Sequence, residues 1–192
     1  MMQVTGILLA AGAARRFGSH KLMHPLGDGT PVAVAAARNL VAAVPDALAV
    51  VRPGDNALIA ALQETGIAIA VNPAVDCLMA DSIETGIGTA AASDAWLIAL
   101  GDMPCIRPAT LRQLVERLSS GASIVAPQFD GRRGNPVGFA ARWRESLCAL
   151  QGDQGARRLL SDHAAELTLC TVDDPGVIYD IDLPDDLQRH ST

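Results

Sequence analysis

The chain predicts an α/β fold, a mostly parallel sheet with helices on both faces, from three observations. Strand-like and helix-like segments alternate along its length, as β-α-β units with right-handed crossovers require. Of 192 residues, 49% are hydrophobic, chiefly Ala, Val, Leu and Ile, and only 3% are aromatic, a composition suited to helices packed on a parallel sheet. The first apolar run breaks into a glycine-bearing, cationic loop, and that edge is where an open α/β sheet holds its ligand. At this length one domain over residues 1–192 is expected, long enough to bury a substantial core.

The run Ile7-Leu8-Leu9-Ala10-Ala11 reads as a buried strand that ends at Gly12. Gly12 and Gly18 allow positive φ and close approach of the backbone to a ligand, while Arg16 and Lys21 supply charge for phosphate oxygens. A nucleoside triphosphate suits such a loop. Two known phosphate patterns do not fit: Gly18-Ser19-His20-Lys21 lacks the Gly-Lys-Ser/Thr of a P-loop, and Ala14 replaces the second glycine of a dinucleotide loop. As a long cation on a loop, Lys21 is expected to add little to the core.

Downstream, Pro31–Val44 predicts a helix with Pro31 at its first position, 47–51 a strand, 55–65 a helix and 67–71 a third strand. Residues 72–82 lack periodicity and predict a loop, followed by a helix to about residue 92 capped by Asp81 or Ser82. The most hydrophobic strand, 95–100, stops at Gly101-Asp102-Met103-Pro104, which sets an acidic residue at the ligand edge. A helix over 109–119 and a strand over 123–127 precede the basic, glycine-rich segment Gly131-Arg132-Arg133-Gly134-Asn135-Pro136, which leads into apolar residues. A short helix around 142–149, a helix over 156–163 and a strand over 166–172 complete the order. Between them Gly152-Asp153 reads as a helix start.

A net charge of −6 argues against general binding to nucleic acid or anionic membranes, so any cationic site is local. The four cysteines, at 77, 105, 148 and 170, have neither zinc spacing nor a disulfide framework and read as reduced packing residues. The N-terminus carries no basic region or cleavage signal and no apolar run reaches a membrane span; a cytoplasmic protein is expected.

Leu9-Ala10-Ala11-Gly12, Arg16, Phe17, Gly18 and Lys21 together resemble the loop L-A-A/G-G-x-x-x-R-M/F-G-x-x-K of the MobA-like NTP transferase family. Leu100-Gly101-Asp102-Met103-Pro104 is similar to that family's metal motif, Gly131 to Phe139 to its G-x-R-G-N-P segment, and Asp180-Ile181-Asp182 to its D-I-D tail. Met79 and Ser82 match a segment beside the base or sugar, and Gly152 to Arg157 matches the G-D-x-G-A-R element of the branch that acts on molybdopterin. The resemblance spans essentially the whole chain, with Ala14 and Leu183 as departures where relatives carry hydroxyls.

The resemblance implies a three-layer α/β/α, Rossmann-like nucleotidyltransferase fold and transfer of a nucleotidyl group from an NTP to a phosphate acceptor. It assigns nucleotide contacts to Leu9, Ala10, Ala11, Gly12, Arg16, Lys21, Met79, Ser82 and Gly101, and catalysis to Arg16, Lys21 and Asp102. Acceptor contacts fall to Arg133, Asn135, Pro136, Asp153 and Arg157. Asp102 and Asp182 would hold Mg²⁺, or Mn²⁺ in its place, with Asp180 the alternative second ligand. The loop is closer to cytidylyl- than to guanylyl-transferring members, which implies CTP as donor and molybdenum-loaded molybdopterin as acceptor. A molybdenum hydroxylase or its maturation chaperone is the implied client. A different nucleotidyltransferase of the same fold, or a non-catalytic cofactor carrier, are the alternatives. No catalytic histidine is required, because an acceptor phosphate is already a nucleophile.

Overall fold

The computed structural model describes residues 2–12, 21–74 and 77–181. The strands are β1 (Val4–Leu9), β2 (Ala47–Val51), β3 (Ala68–Val71), β4 (Ala95–Leu100), β5 (Ile124–Phe129), β6 (Arg132–Arg133), β7 (Val137–Ala140) and β8 (Leu167–Thr171). The helices are α1 (Val32–Ala43), α2 (Asn56–Gln63), α3 (Met79–Thr89), α4 (Pro108–Ser119), α5 (Arg144–Cys148) and α6 (Arg157–Asp162). One sheet runs β3-β2-β1-β4-β7-β5-β6, and β8 also pairs with β5. Pairs β1–β2, β2–β3, β1–β4 and β5–β8 are parallel. Strand β7 runs antiparallel between β4 and β5, and β6 antiparallel to β5, so the sheet is mixed but mostly parallel.

Alternation along each strand splits the core into two layers. Leu8, Ala49, Val51, Leu97 and Val125 face α1, α2 and α4; Ile7, Val50, Trp96, Ile98 and Phe139 face α3, α5 and α6. Helix α4 buries Leu111, Leu114 and Leu118, the spacing of one helical face. Helix α3 lies close on the sheet because Gly86 has no Cβ, which would stand 2.6 Å from Ile7 Cγ2. Trp96, fully buried, directs its indole N–H to the Ala90 carbonyl at 3.0 Å.

Several local expectations are corrected. Pro31 is the N-cap of α1 rather than its first residue, and Asp55 caps α2 by accepting from Leu58 N–H at 3.4 Å. Helix α3 begins earlier than expected, with Leu78 as N-cap; Asp81 sits in its first turn and accepts from Leu78 N–H at 3.0 Å. Ser82 is therefore no cap. The α6 cap is Ala156, so Asp153 does not start that helix. The element around 142–149 divides into a 3₁₀ turn, Ala141–Trp143, and α5. All four cysteines are free, as expected.

Candidate active site

Chain order reverses at β1: the sheet continues to β2 and β3 on one side and jumps to β4 on the other. Such a switch opens a crevice at the carboxyl ends of the two strands, between the segments that follow Leu9 and Leu100. The segments meet closely. Gly101 N–H donates to the Leu9 carbonyl at 2.9 Å, and a Cβ on Gly101 would stand 3.0 Å from that same oxygen. At Gly12, by contrast, no atom of the described residues stands within 4 Å of where a Cβ would lie. Arg52, just past β2, donates its Nε–H to the Ala11 carbonyl at 2.7 Å and ties the start of the loop down.

Lys21 and Asp102 converge in the crevice. The ammonium stands 2.9 Å from Asp102 Oδ2, with side-chain exposures of 11% for Lys21 and 27% for Asp102. Lys21 is thus buried, although a long cation on a loop is expected to add little to the core. The other oxygen, Asp102 Oδ1, is buried and has no hydrogen-bond partner among the described residues. An unpartnered, hard, anionic oxygen suits a divalent cation such as Mg²⁺, which draws its remaining oxygens from phosphate and water. Among the described residues no cluster of three or more metal-ligating side chains exists. Backbone geometry also brings the C-terminal segment here: Ile181, fully buried against Val32, donates its N–H to the Asp102 carbonyl at 3.0 Å.

Beside this turn lies a cavity of about 310 Å³. Its floor is apolar, formed by residues such as Leu9, Ile83, Ile98, Leu100 and Phe139. Its rim is polar, with Arg133, Asn135, Asp153, Gln154 and Arg157. Neither rim guanidinium has a hydrogen-bond or carboxylate partner among the described residues. Arg133 is solvent-accessible overall, yet its head is desolvated against the cavity wall. That burial, with the nearby Arg157 charge second, pulls its pKa below the ordinary guanidinium value. Two cations thus share one rim. Asn135 is held by its N–H to the Val177 carbonyl at 2.8 Å, Pro136 follows it across a cis bond, and Gly134 leaves no room for a Cβ beside that same carbonyl.

The structure brings Leu9, Met79, Arg133, Asn135, Asp153 and Arg157 to this one cavity, and Lys21, Gly101 and Asp102 to the neighbouring turn. Ala10 and Ala11 are buried at the start of the loop. Arg16, Phe17, Gly18 and Asp182 lie outside the described residues. Ser82 is 3% exposed; its hydroxyl donates to the Leu78 carbonyl at 3.2 Å and accepts from Asn72 Nδ2 at 3.1 Å, so it braces the strand–helix corner. Sequence reasoning passed over Arg52, whose only signal is a cation directly after a strand at the ligand edge. It also passed over Asp174, 1% exposed, which accepts from Arg107 N–H at 2.8 Å and from the Thr110 hydroxyl at 2.7 Å and so fixes the segment leading to Val177.

Residues 6–167 match the model of the MobA-like NTP transferase domain. The chain belongs to that family. This NTP transferase is also 30% identical over 195 residues to the nicotine blue oxidoreductase of Paenarthrobacter nicotinovorans, covering 97% of this chain and 95% of that protein. The crystal structure of Rv0371c from Mycobacterium tuberculosis H37Rv is similar with a TM-score of 0.85 at 26% identity, over 98% of this chain and 97% of that one. Rv0371c has also been solved in complex with manganese. A nucleotidyl transferase from Methanothermobacter thermautotroptrophicus shares the fold, with a TM-score of 0.81 at 23% identity over 97% of this chain and 95% of that one. Family and fold together make this chain a nucleotidyltransferase with a mixed, mostly parallel sheet covered by helices on both sides. Among the described residues no helix is long and apolar enough to cross a membrane.

Proposed function

We propose that this NTP transferase, a single cytoplasmic domain, moves CMP from CTP to the terminal phosphate of molybdenum-loaded molybdopterin and releases pyrophosphate. The observation that carries the reading is the placement of the Lys21–Asp102 turn next to a cavity with an apolar floor and two unpaired arginines on its rim. A flat heterocycle would lie on the floor, and its phosphate dianion would meet Arg133 and Arg157. An acceptor phosphate oxygen attacks the α-phosphorus of CTP in line; the new P–O bond forms as the bond to the β-phosphate breaks, and its electron pair leaves with pyrophosphate. The acceptor is already deprotonated, so the protein's part is orientation and neutralisation of charge.

Arg16 and Lys21 would hold the departing phosphates, with Arg52 steadying the loop through the Ala11 carbonyl. Asp102, through its unpartnered Oδ1, and Asp182, by its match to the family tail, would hold Mg²⁺ or Mn²⁺, which when bound offsets the charge of the phosphates. The product would pass to a molybdenum hydroxylase or its maturation chaperone. CTP is preferred over GTP on the loop motifs Leu9-Ala10-Ala11-Gly12 and Gly18-Ser19-His20-Lys21.

The test is pyrophosphate release from CTP, GTP, ATP and UTP in turn, each with molybdenum-loaded molybdopterin. Release with CTP is expected; release with GTP alone would reverse the base assignment, and release with none would overturn the acceptor. A second reading draws on the 30%-identical oxidoreductase relative: the apolar floor also fits a conjugated ring that is reduced rather than nucleotidylated. It ranks lower because the loop lacks the glycines of a dinucleotide site. Loss of nicotine blue absorbance with NADH or NADPH, without any nucleotidyl transfer, would put it first.

A further inference from the structure

The turn at residues 152–157 and the start of α3 are joined by three separate contacts. Asp153 Oδ1 accepts from Met79 N–H at 3.1 Å, and the Gly152 carbonyl accepts from Ala80 N–H at 3.1 Å. Gly155, with φ +53, packs so tightly that a Cβ there would overlap Met79 Sδ. With Asp81 accepting from Leu78 N–H at 3.0 Å, the first three amides of this helix end are all occupied by protein oxygens. A substrate anion therefore finds the Leu78, Met79 and Ala80 amides already taken. Yet Met79, Asp153, Gln154 and Arg157 all line the cavity.

We propose that Asp153 is a positioning residue: it caps α3 across the fold and thereby fixes where Met79 and Arg157 stand at the cavity, without itself binding the acceptor. The chemistry favours this division. A carboxylate on the rim would repel an anionic acceptor if it faced the ligand, whereas on a helix N-terminus its charge lies where the helix dipole and an amide donor stabilise it. Arg157 opens α6 four residues later in the chain, and Gln154, Ala156 and Arg157 all share the cavity, so a turn released from α3 would carry the guanidinium away from Arg133. Gly155 adds a size limit, because any side chain there drives the Met79 thioether from its seat beside the apolar floor. The reading rests on the acceptor site proposed above, but the anchoring contact can be judged separately.

The experiment compares Asp153→Asn, which keeps an oxygen for the Met79 amide and loses the charge, with Asp153→Ala, which loses both. Two measurements are made on the intact protein: hydrogen–deuterium exchange of the Met79 and Ala80 amides, and acceptor and CTP KM for pyrophosphate release with molybdenum-loaded molybdopterin. Asp153→Ala should speed exchange at Met79 and Ala80 by about tenfold or more and raise acceptor KM by a similar factor, leaving CTP KM within about twofold. Asp153→Asn should stay within about twofold of wild type in both measurements. Equal damage to acceptor KM by Asn and Ala, with Met79 exchange unchanged, would overturn the proposal in favour of direct charge contact. Should wild type show no turnover with molybdopterin, the acceptor reading fails, and the cavity is then followed by binding of 8-anilinonaphthalene-1-sulfonate, an apolar ring bearing one anion. Weaker dye binding in Asp153→Ala but not in Asp153→Asn upholds the positioning role, and equal binding in all three proteins overturns it.

Discussion

Lys21 and Asp102, 81 residues apart in the chain, meet as an ion pair of 2.9 Å that leaves Asp102 Oδ1 buried and, among the described residues, unpartnered. One oxygen is neutralised by an ammonium and the other is held ready. The arrangement explains how a carboxylate can sit at this turn before any cation arrives, since an unpaired buried charge would be costly.

Lys21→Ala is expected to weaken CTP binding and also to destabilise the protein by about 1–2 kcal/mol, because it leaves the Asp102 charge uncompensated in a partly dry site. Denaturant unfolding alongside CTP titration checks both effects. An unchanged CTP affinity would remove Lys21 from the phosphate site, and an unchanged midpoint would show that solvent already screens Asp102.

Asp102→Asn keeps the shape of the side chain and removes the charge for the cation. Mn²⁺ affinity followed by electron paramagnetic resonance should fall by about tenfold or more, and turnover should fall with it. Asp182→Asn should act alike, and the double substitution should cost much less than the sum of the singles, since both act through one ion. Additive losses would argue against a shared cation and direct attention to Asp180.

Arg133→Ala and Arg157→Ala should each raise acceptor KM by about tenfold, with CTP KM little changed, since each removes one charged partner of a phosphate dianion. Together they should abolish measurable saturation. If CTP KM rises instead, the two guanidiniums serve the nucleotide and the acceptor lies elsewhere.

Gly134→Ala should cost at least about 2 kcal/mol of stability, because its Cβ would overlap the Val177 carbonyl, a backbone atom that can yield little. Gly12→Ala, whose Cβ would meet no atom of the described residues within 4 Å, should leave the thermal midpoint almost unchanged. Paired melting curves for the two variants test this contrast, and a similar midpoint for both would refute it.

The sequence by itself determined the order of elements and the character of the sheet. Strands such as Ala95–Leu100 are apolar throughout because both their faces are covered, and that pattern is local enough to read from the chain. It also marked the edge that carries Gly101 and Asp102, since a glycine and a nearby proline end a strand for reasons within a few residues. Tertiary structure alone decided which residues meet. The insertion of β7, reversed, between β4 and β5 depends on long-range pairing that no local period encodes. The burial of Lys21 against Asp102 escaped the reading for the same reason, since a loop lysine looks solvated until its partner arrives from another strand. Asp153 read as the start of its own helix or as a substrate ligand, yet its carboxylate caps a helix 74 residues earlier in the chain, because the nearest unsatisfied amide in space was not the nearest in sequence.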